Sequence, residues 1–131
     1  LAPVTTMMAI TSFPVSMYSV EVASVPAGLA DKDDAALLEL WKHARVAAYE
    51  GTAAPEILGD EATELFGTKG RLLILRDKLP NGQARDGHLR AIVERKDGNA
   101  LHVVIASAWA IDPKDLPTIT RRFYESLKKT E

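Results

Sequence analysis

Val103, Val104 and Ile105 are apolar in succession. Side chains of a β-strand alternate between faces, so such a run requires a sheet covered on both sides. The run lies in "NALHVVIASAWA", Asn99 to Ala110, which follows "DGHLRAIVERK" across Asp97-Gly98. Asp-Gly between two such segments is a strong signal for a two-residue hairpin loop. With that loop, Lys96 faces Asn99 and the register of the whole pair is set. Val93 then faces His102, Ala91 faces Val104 and Leu89 faces Ala106 on one side. On the other, Glu94 meets Leu101, Ile92 meets Val103, Arg90 meets Ile105 and His88 meets Ser107. A slip of one residue exchanges the two faces.

The remaining segments supply the partners that this hairpin needs. "VTTMMAITS", Val4 to Ser12, is rich in β-branched residues and predicts a strand, which Phe13-Pro14 interrupts. Ser16 to Val25 alternates, with Met17, Ser19, Glu21 and Ala23 on one face and Tyr18, Val20 and Val22 on the other. Pro26 and Gly28 end it. "DKDDAALLELWKHARVAAYEG" predicts the main helix. Asp31 can cap it, Asp33 and Asp34 suit the positive end of its dipole, and Gly51 stops it. Leu37, Leu38, Trp41, Ala44 and Ala48 form its apolar stripe. Pro55 to Leu65 predicts a weaker strand with a bulge at Gly59. "GRLLILRDK" follows, and its run Leu72 to Leu75 predicts a central strand. Asn81-Gly82 marks the next turn. "DPKDLPTITRRFYESLKK" predicts a last helix, capped by Asp112 or Asp115. Its stripe is Leu116, Ile119, Phe123 and Leu127, and Lys128 and Lys129 sit at the negative end of its dipole.

The expected architecture is an α+β fold, an α/β/α sandwich with a mostly antiparallel sheet of about six strands and two main helices. All 131 residues are expected to form one domain. A hydrophobic fraction of 47% and a charged fraction of 26% match an ordinary globular chain. With a net charge of −2 and 6% aromatic residues, neither a basic surface nor stacking platforms point to nucleic acid. The absence of cysteine excludes disulfides, thiolate catalysis and thiolate metal sites. No apolar stretch is long enough to span a membrane. The first residue is Leu1, so the chain is read as a processed or truncated product, and a removed export signal is the favoured explanation.

The order strand, strand, helix, four strands, helix resembles the PsbP-like superfamily. That superfamily contains the extrinsic PsbP protein of photosystem II, the Ran-binding nuclear import factor of fungi and bacterial DcrB-like exported proteins. The resemblance rests on a hairpin ending "YSVEVASVPAG", a long acid-capped helix, and the step "LFGTKGRLLIL", similar to the family's "LGG-x-x-G" entry into a central strand. The hairpin "VERKDGNALHVVIAS" and the last helix "LPTITRRFYESLK" complete it. Members begin with one more strand, an "FS-x-x-x-P"-like segment, and this chain is expected to lack it. No catalytic motif defines the superfamily. The resemblance implies the α/β/α sandwich and a binding or accessory role.

Few residues suggest chemistry. In "FGTKGRLLIL", Gly67 and Gly70 are too close for a P-loop, Lys69 precedes the second glycine, and a strand follows. A turn needing positive φ explains the glycines better. Asp31, Asp33 and Asp34 lack the ligand spacing of a calcium loop, and helix capping accounts for them. His43 is expected to be solvated and His102 structural; no helical histidine pair exists for a metal. His88, opposite Ser107 and near Asp86, permits a serine–histidine–aspartate reading without a nucleophile elbow or an oxyanion hole. Arg71, Arg76, Arg85, Arg90 and Arg95, with Lys69, form either a basic patch or a set balanced by Asp77, Asp86 and Glu94. The balanced reading is preferred. Trp41 and Trp109 suit the core, whereas an exposed Trp109 would mark a binding surface.

The expected function is a non-enzymatic binding or accessory domain whose partner is another protein, with no cofactor, no metal and no catalytic residues. His88, Arg90 and Trp109 are the candidate binding residues. The expected compartment is periplasmic or exported, the alternative cytoplasmic. A second reading is an interaction or immunity-type partner in a secretion or toxin system, and a third is a small hydrolase using His88.

Overall fold

In a computed structural model of the chain, residues 3–12, 15–47, 54–112, 114 and 116–126 are described. The elements run β1 (Pro3–Ser12), β2 (Val15–Ser24), α1 (Asp34–Ala47), β3 (Glu56–Leu65), β4 (Thr68–Lys78), β5 (Ala84–Lys96), β6 (Asn99–Ala110) and α2 (Leu116–Ser126). A short 3-10 turn, Ala27–Leu29, joins β2 to α1. The strands form one six-stranded sheet in the order β1-β2-β6-β5-β4-β3, antiparallel throughout. Expectations for Phe13-Pro14, Ala48, Gly51, Asp115, Leu127, Lys128 and Lys129 lie outside the described residues, as does the side chain of Ile119.

Two hairpins turn on two-residue loops with both residues at positive φ. These are Asp97 (53°) with Gly98 (82°), and Phe66 (53°) with Gly67 (75°). Phe66 is unusual at such a φ, a strain of roughly 1 kcal/mol for a residue with a Cβ. Its ring packs on the cluster of Leu65, Ile92, Val104 and Ala106, which offsets that cost. Gly70 is not part of the turn. It lies inside β4, where an added Cβ would come within 2.0 Å of the Ala91 carbonyl oxygen, so its absence of a side chain serves close packing of β5.

The β5–β6 register departs from the sequence-based expectation after two pairs. Lys96 faces Asn99 and Arg95 faces Ala100, as the loop requires; then Glu94 faces His102, and every later pair is shifted by one. Leu101 is the extra residue of a β-bulge, with its side chain 42% exposed. Its backbone is held from the other side, because the Val25 amide donates to the Leu101 carbonyl at 2.9 Å. The bulge resets the alternation. Ala100, Val103, Ile105 and Trp109 all join the face beneath α1, where they meet Leu37, Leu38 and Trp41. Val104 and Ala106 pack with Phe123 and Tyr124 of α2 on the opposite face, and Ala108 and Ala110 with Leu116. One helix therefore covers each side, as the apolar run Val103 to Ile105 demands.

On α1 the cap is Asp33 rather than Asp31: its carboxylate accepts from the Ala36 amide at 2.8 Å. The apolar stripe ends at Trp41, and Ala44 is exposed. β3 carries its bulge between Ile57 and Gly59, with Leu58 as the extra residue.

Gly87 pairs with Trp109, and a Cβ there would lie 2.4 Å from the indole. Gly87→Ala should cost about 1–3 kcal/mol through overpacking. Gly28, which has nothing within 4 Å of its virtual Cβ, should tolerate alanine within about 0.5 kcal/mol. Urea denaturation of both variants checks the contrast.

Candidate functional site

The three residues singled out from the sequence are divided between two faces of the sheet. Trp109 lies beneath α1 and is 3% exposed. Its indole rests on the Gly87 backbone, and the Arg85 guanidinium stacks on it with Cζ 4.2 Å from the ring centroid. Arg85 also makes a bidentate pair with Asp77, at 2.8 and 3.1 Å. Trp109 is thus the centre of a closed assembly.

His88 and Arg90 share the α2 face of β5. Tyr124 joins them from α2, its hydroxyl proton shared between the carbonyls of Ala106 (3.0 Å) and His88 (3.1 Å). The Arg90 guanidinium stacks on the Tyr124 ring, 4.1 Å from its centroid, and Nη1 donates to the Glu64 carbonyl at 3.3 Å. Arg90 Nε is buried and has no hydrogen-bond partner among the described residues. Burial first, and the Arg90 charge second, hold the His88 pKa below its ordinary value of 6.5; Glu61 and Asp86 oppose this weakly. Burial also pushes the Tyr124 phenol upward. Tyr124 lies outside the expected Leu116–Ile119–Phe123–Leu127 stripe. Helical spacing also places the residue after Phe123 on the buried side.

A serine–histidine–aspartate constellation is not assembled. The Leu101 bulge sets Ser107 opposite Leu89 instead of His88, which turns its side chain toward α1, away from the imidazole. Asp86 is bound to Arg76 at 2.7 and 3.1 Å. Among the described residues, no three His, Asp or Glu side chains group to hold a metal ion. His43 is exposed and 3.2 Å from Glu39 on the same helix. His102 faces Glu94 rather than Val93.

Four of the five strand arginines are balanced by carboxylates, with Asp60, Glu39 and Asp34 joining Asp77 and Asp86 as partners; Arg90 is the exception. Register alone pairs Arg76 with Asp86 and Asp77 with Arg85, because β4 and β5 each present Arg-Asp in opposite directions. Arg95 reaches Asp34 at 2.7 Å. Arg71 binds Asp60 through two contacts, 2.6 and 2.7 Å, and also binds Glu39. Lys42 adds a 2.7 Å bond to Asp60. These two cations, Arg71 foremost, lower the Asp60 pKa from 3.8 to about 2.

The Asp60–Arg71 pair lies in a groove of about 420 Å³. Asp34, Ala35 and Leu38 of α1 wall it, and Asp60 to Ala62 of β3 with Lys69 to Arg71 of β4 floor it. Beyond β3 no further strand is paired among the described residues. Ile57, Leu58 and Leu40 are 44%, 41% and 41% exposed. No local sequence signal marks this groove, because it arises from the position of β3 at the end of the sheet.

No family model and no curated protein matches the chain. Solved structures that share its fold include those of PA94 and LpqN. A Pseudomonas aeruginosa protein of unknown function, PA94, described as a putative regulator, aligns at TM-score 0.65 and 13% identity, over 97% of this chain and 84% of that one. LpqN of Mycobacterium tuberculosis, involved in cell envelope biogenesis, aligns at TM-score 0.53 and 18% identity, over 86% of this chain and 59% of that one.

Burial disfavours the charged form of His88 in the folded state. Its contribution is complete above pH 6.5 and is lost as pH falls through the lowered folded value. His88→Gln should therefore flatten the fall in Tm below pH 6.5 and leave the Tm profile above it parallel to that of the unaltered protein. Asp60→Asn should lower stability by up to about 1 kcal/mol at neutral pH, as expected for a partly exposed network. That difference should vanish as pH falls from 3.8 toward about 2, where Asp60 itself protonates; denaturation at several pH values reads it.

Proposed function

We propose that the chain is a non-enzymatic binding or accessory domain whose partner is another protein. The observation that supports it most is the β3 edge of the sheet, one of its two ends. There β3 lies exposed beside a groove, and its own residues Ile57 and Leu58 are uncovered. The candidate general base agrees with this reading, because His88 feels the Arg90 charge on its own strand face, with neither Ser107 nor an unpaired Asp86 to partner it. His88 and Arg90 then serve as the platform for α2 through Tyr124, and Trp109 as the anchor of the opposite face.

Membership of the PsbP-like superfamily belongs to the same proposal. It is supported by the order of elements and by the fold shared with PA94 and LpqN. The description of LpqN as a cell-envelope protein favours an exported setting here. No described helix is long and apolar enough to cross a membrane.

Affinity capture from the native organism with this chain as bait, read by mass spectrometry, tests the proposal. A reproducible, saturable protein partner is expected. Repeated capture without one contradicts the reading, as does a hydrolytic activity that His88→Ala abolishes in a folded variant.

A further inference from the structure

We infer that the free edge of β3 is a docking site for an extended, basic segment of a partner protein, which adds to the sheet as a seventh strand. The inference rests on the accessory-domain reading and names the surface and the partner's chemistry.

β3 is ten residues long and ends the sheet, so one side of its backbone has no partner among the described residues. An exposed edge of this kind is a template for pairing with another chain. Proteins commonly block such edges with lysine, proline or a bulge. β3, "EILGDEATEL", contains no lysine, arginine or proline. Its bulge at Leu58 disturbs only the beginning of the strand, and Gly59 to Leu65 keep regular register with β4.

The charge of the edge selects the occupant. Glu56, Asp60, Glu61 and Glu64 are all acidic. Asp60 is neutralised by Arg71 and Lys42, whereas Glu56, Glu61 and Glu64 make no ion pair among the described residues. Two copies of this edge would repel one another, which disfavours pairing of β3 with β3. A segment carrying lysine or arginine is attracted instead.

The groove supplies the second half of the site. Asp60, Ala62 and Glu64 face the α1 side, and Gly59, Glu61 and Thr63 the other. Alternate side chains of an added strand would enter the groove against Ala35, Leu38 and Ala62, where aliphatic residues fit. The intervening side chains would lie beside Glu61, where cations fit. The recognised pattern is therefore alternating aliphatic and basic residues.

The test uses the whole chain labelled with 15N and the capped peptide Lys-Val-Lys-Val-Lys-Val-Lys. Amide shifts confined to β3 and the groove are expected, together with affinity that falls as salt rises. The matched peptide with glutamate for lysine should not bind, and a proline at the central valine should weaken binding at least tenfold. The double variant Glu61→Lys/Glu64→Lys should lose at least tenfold in affinity while keeping its circular dichroism and Tm. Shifts mapping elsewhere, equal binding of the double variant, or self-association of the chain through β3 overturns the assignment. If the captured partner of the unaltered chain is retained by the double variant, the edge assignment fails while the accessory-domain reading stands. If the peptide docks as expected but no native partner is captured, the opposite holds.

Discussion

The bulge at Leu101 governs the rest of the fold, because it decides which residues of β6 face which helix. Without it, His102 would lie under α1 and Trp109 would turn toward α2. With it, Ala100, Val103, Ile105 and Trp109 complete one core, and Val104 and Ala106 contribute to the other. Trp109 then meets Gly87, the position in β5 whose lack of a side chain leaves room for the indole. Arg85 closes the ring from above and is fixed by Asp77. A one-residue insertion in one strand thus sets the packing of two layers, the strong consequence expected of a period-two structure.

Much of this was legible in the sequence. Element order, the Asp97-Gly98 turn, the division of β2 into two faces and the need for cover on both sides follow from local chemistry and alternation. The bulge was not legible, because it depends on a distant partner. Val25, leaving β2, binds the Leu101 carbonyl, and Ala30 accepts from the Ala100 amide. Nothing in residues 99–102 alone announces those bonds. The same slip explains why His88 was set opposite Ser107. The helix cap shows a smaller failure: three aspartates compete within four positions, and only the geometry of the first turn selects Asp33.

The candidate site was read less well, for a physical reason. Sequence reasoning favours unusual residue types, and here His88 and both tryptophans are absorbed into packing. Trp109 holds a core, and His88 and Arg90 support Tyr124. Four of the five strand arginines are matched to carboxylates. What remains open is a property of topology. β3 is the last strand of the sheet, acidic, and bordered by a groove that α1 only partly covers. The charges that keep such an edge from pairing with itself also define what can pair with it.

The β3 edge must be open in the isolated protein, and native-state amide exchange tests this most directly. Amides of β5 and β6 are expected to exchange slowest, and those of Gly59 to Leu65 to alternate between protected ones bonded to β4 and rapidly exchanging ones that point outward. Uniform protection across Gly59 to Leu65, at the level of β6, would mean that the edge is already covered and would contradict the account.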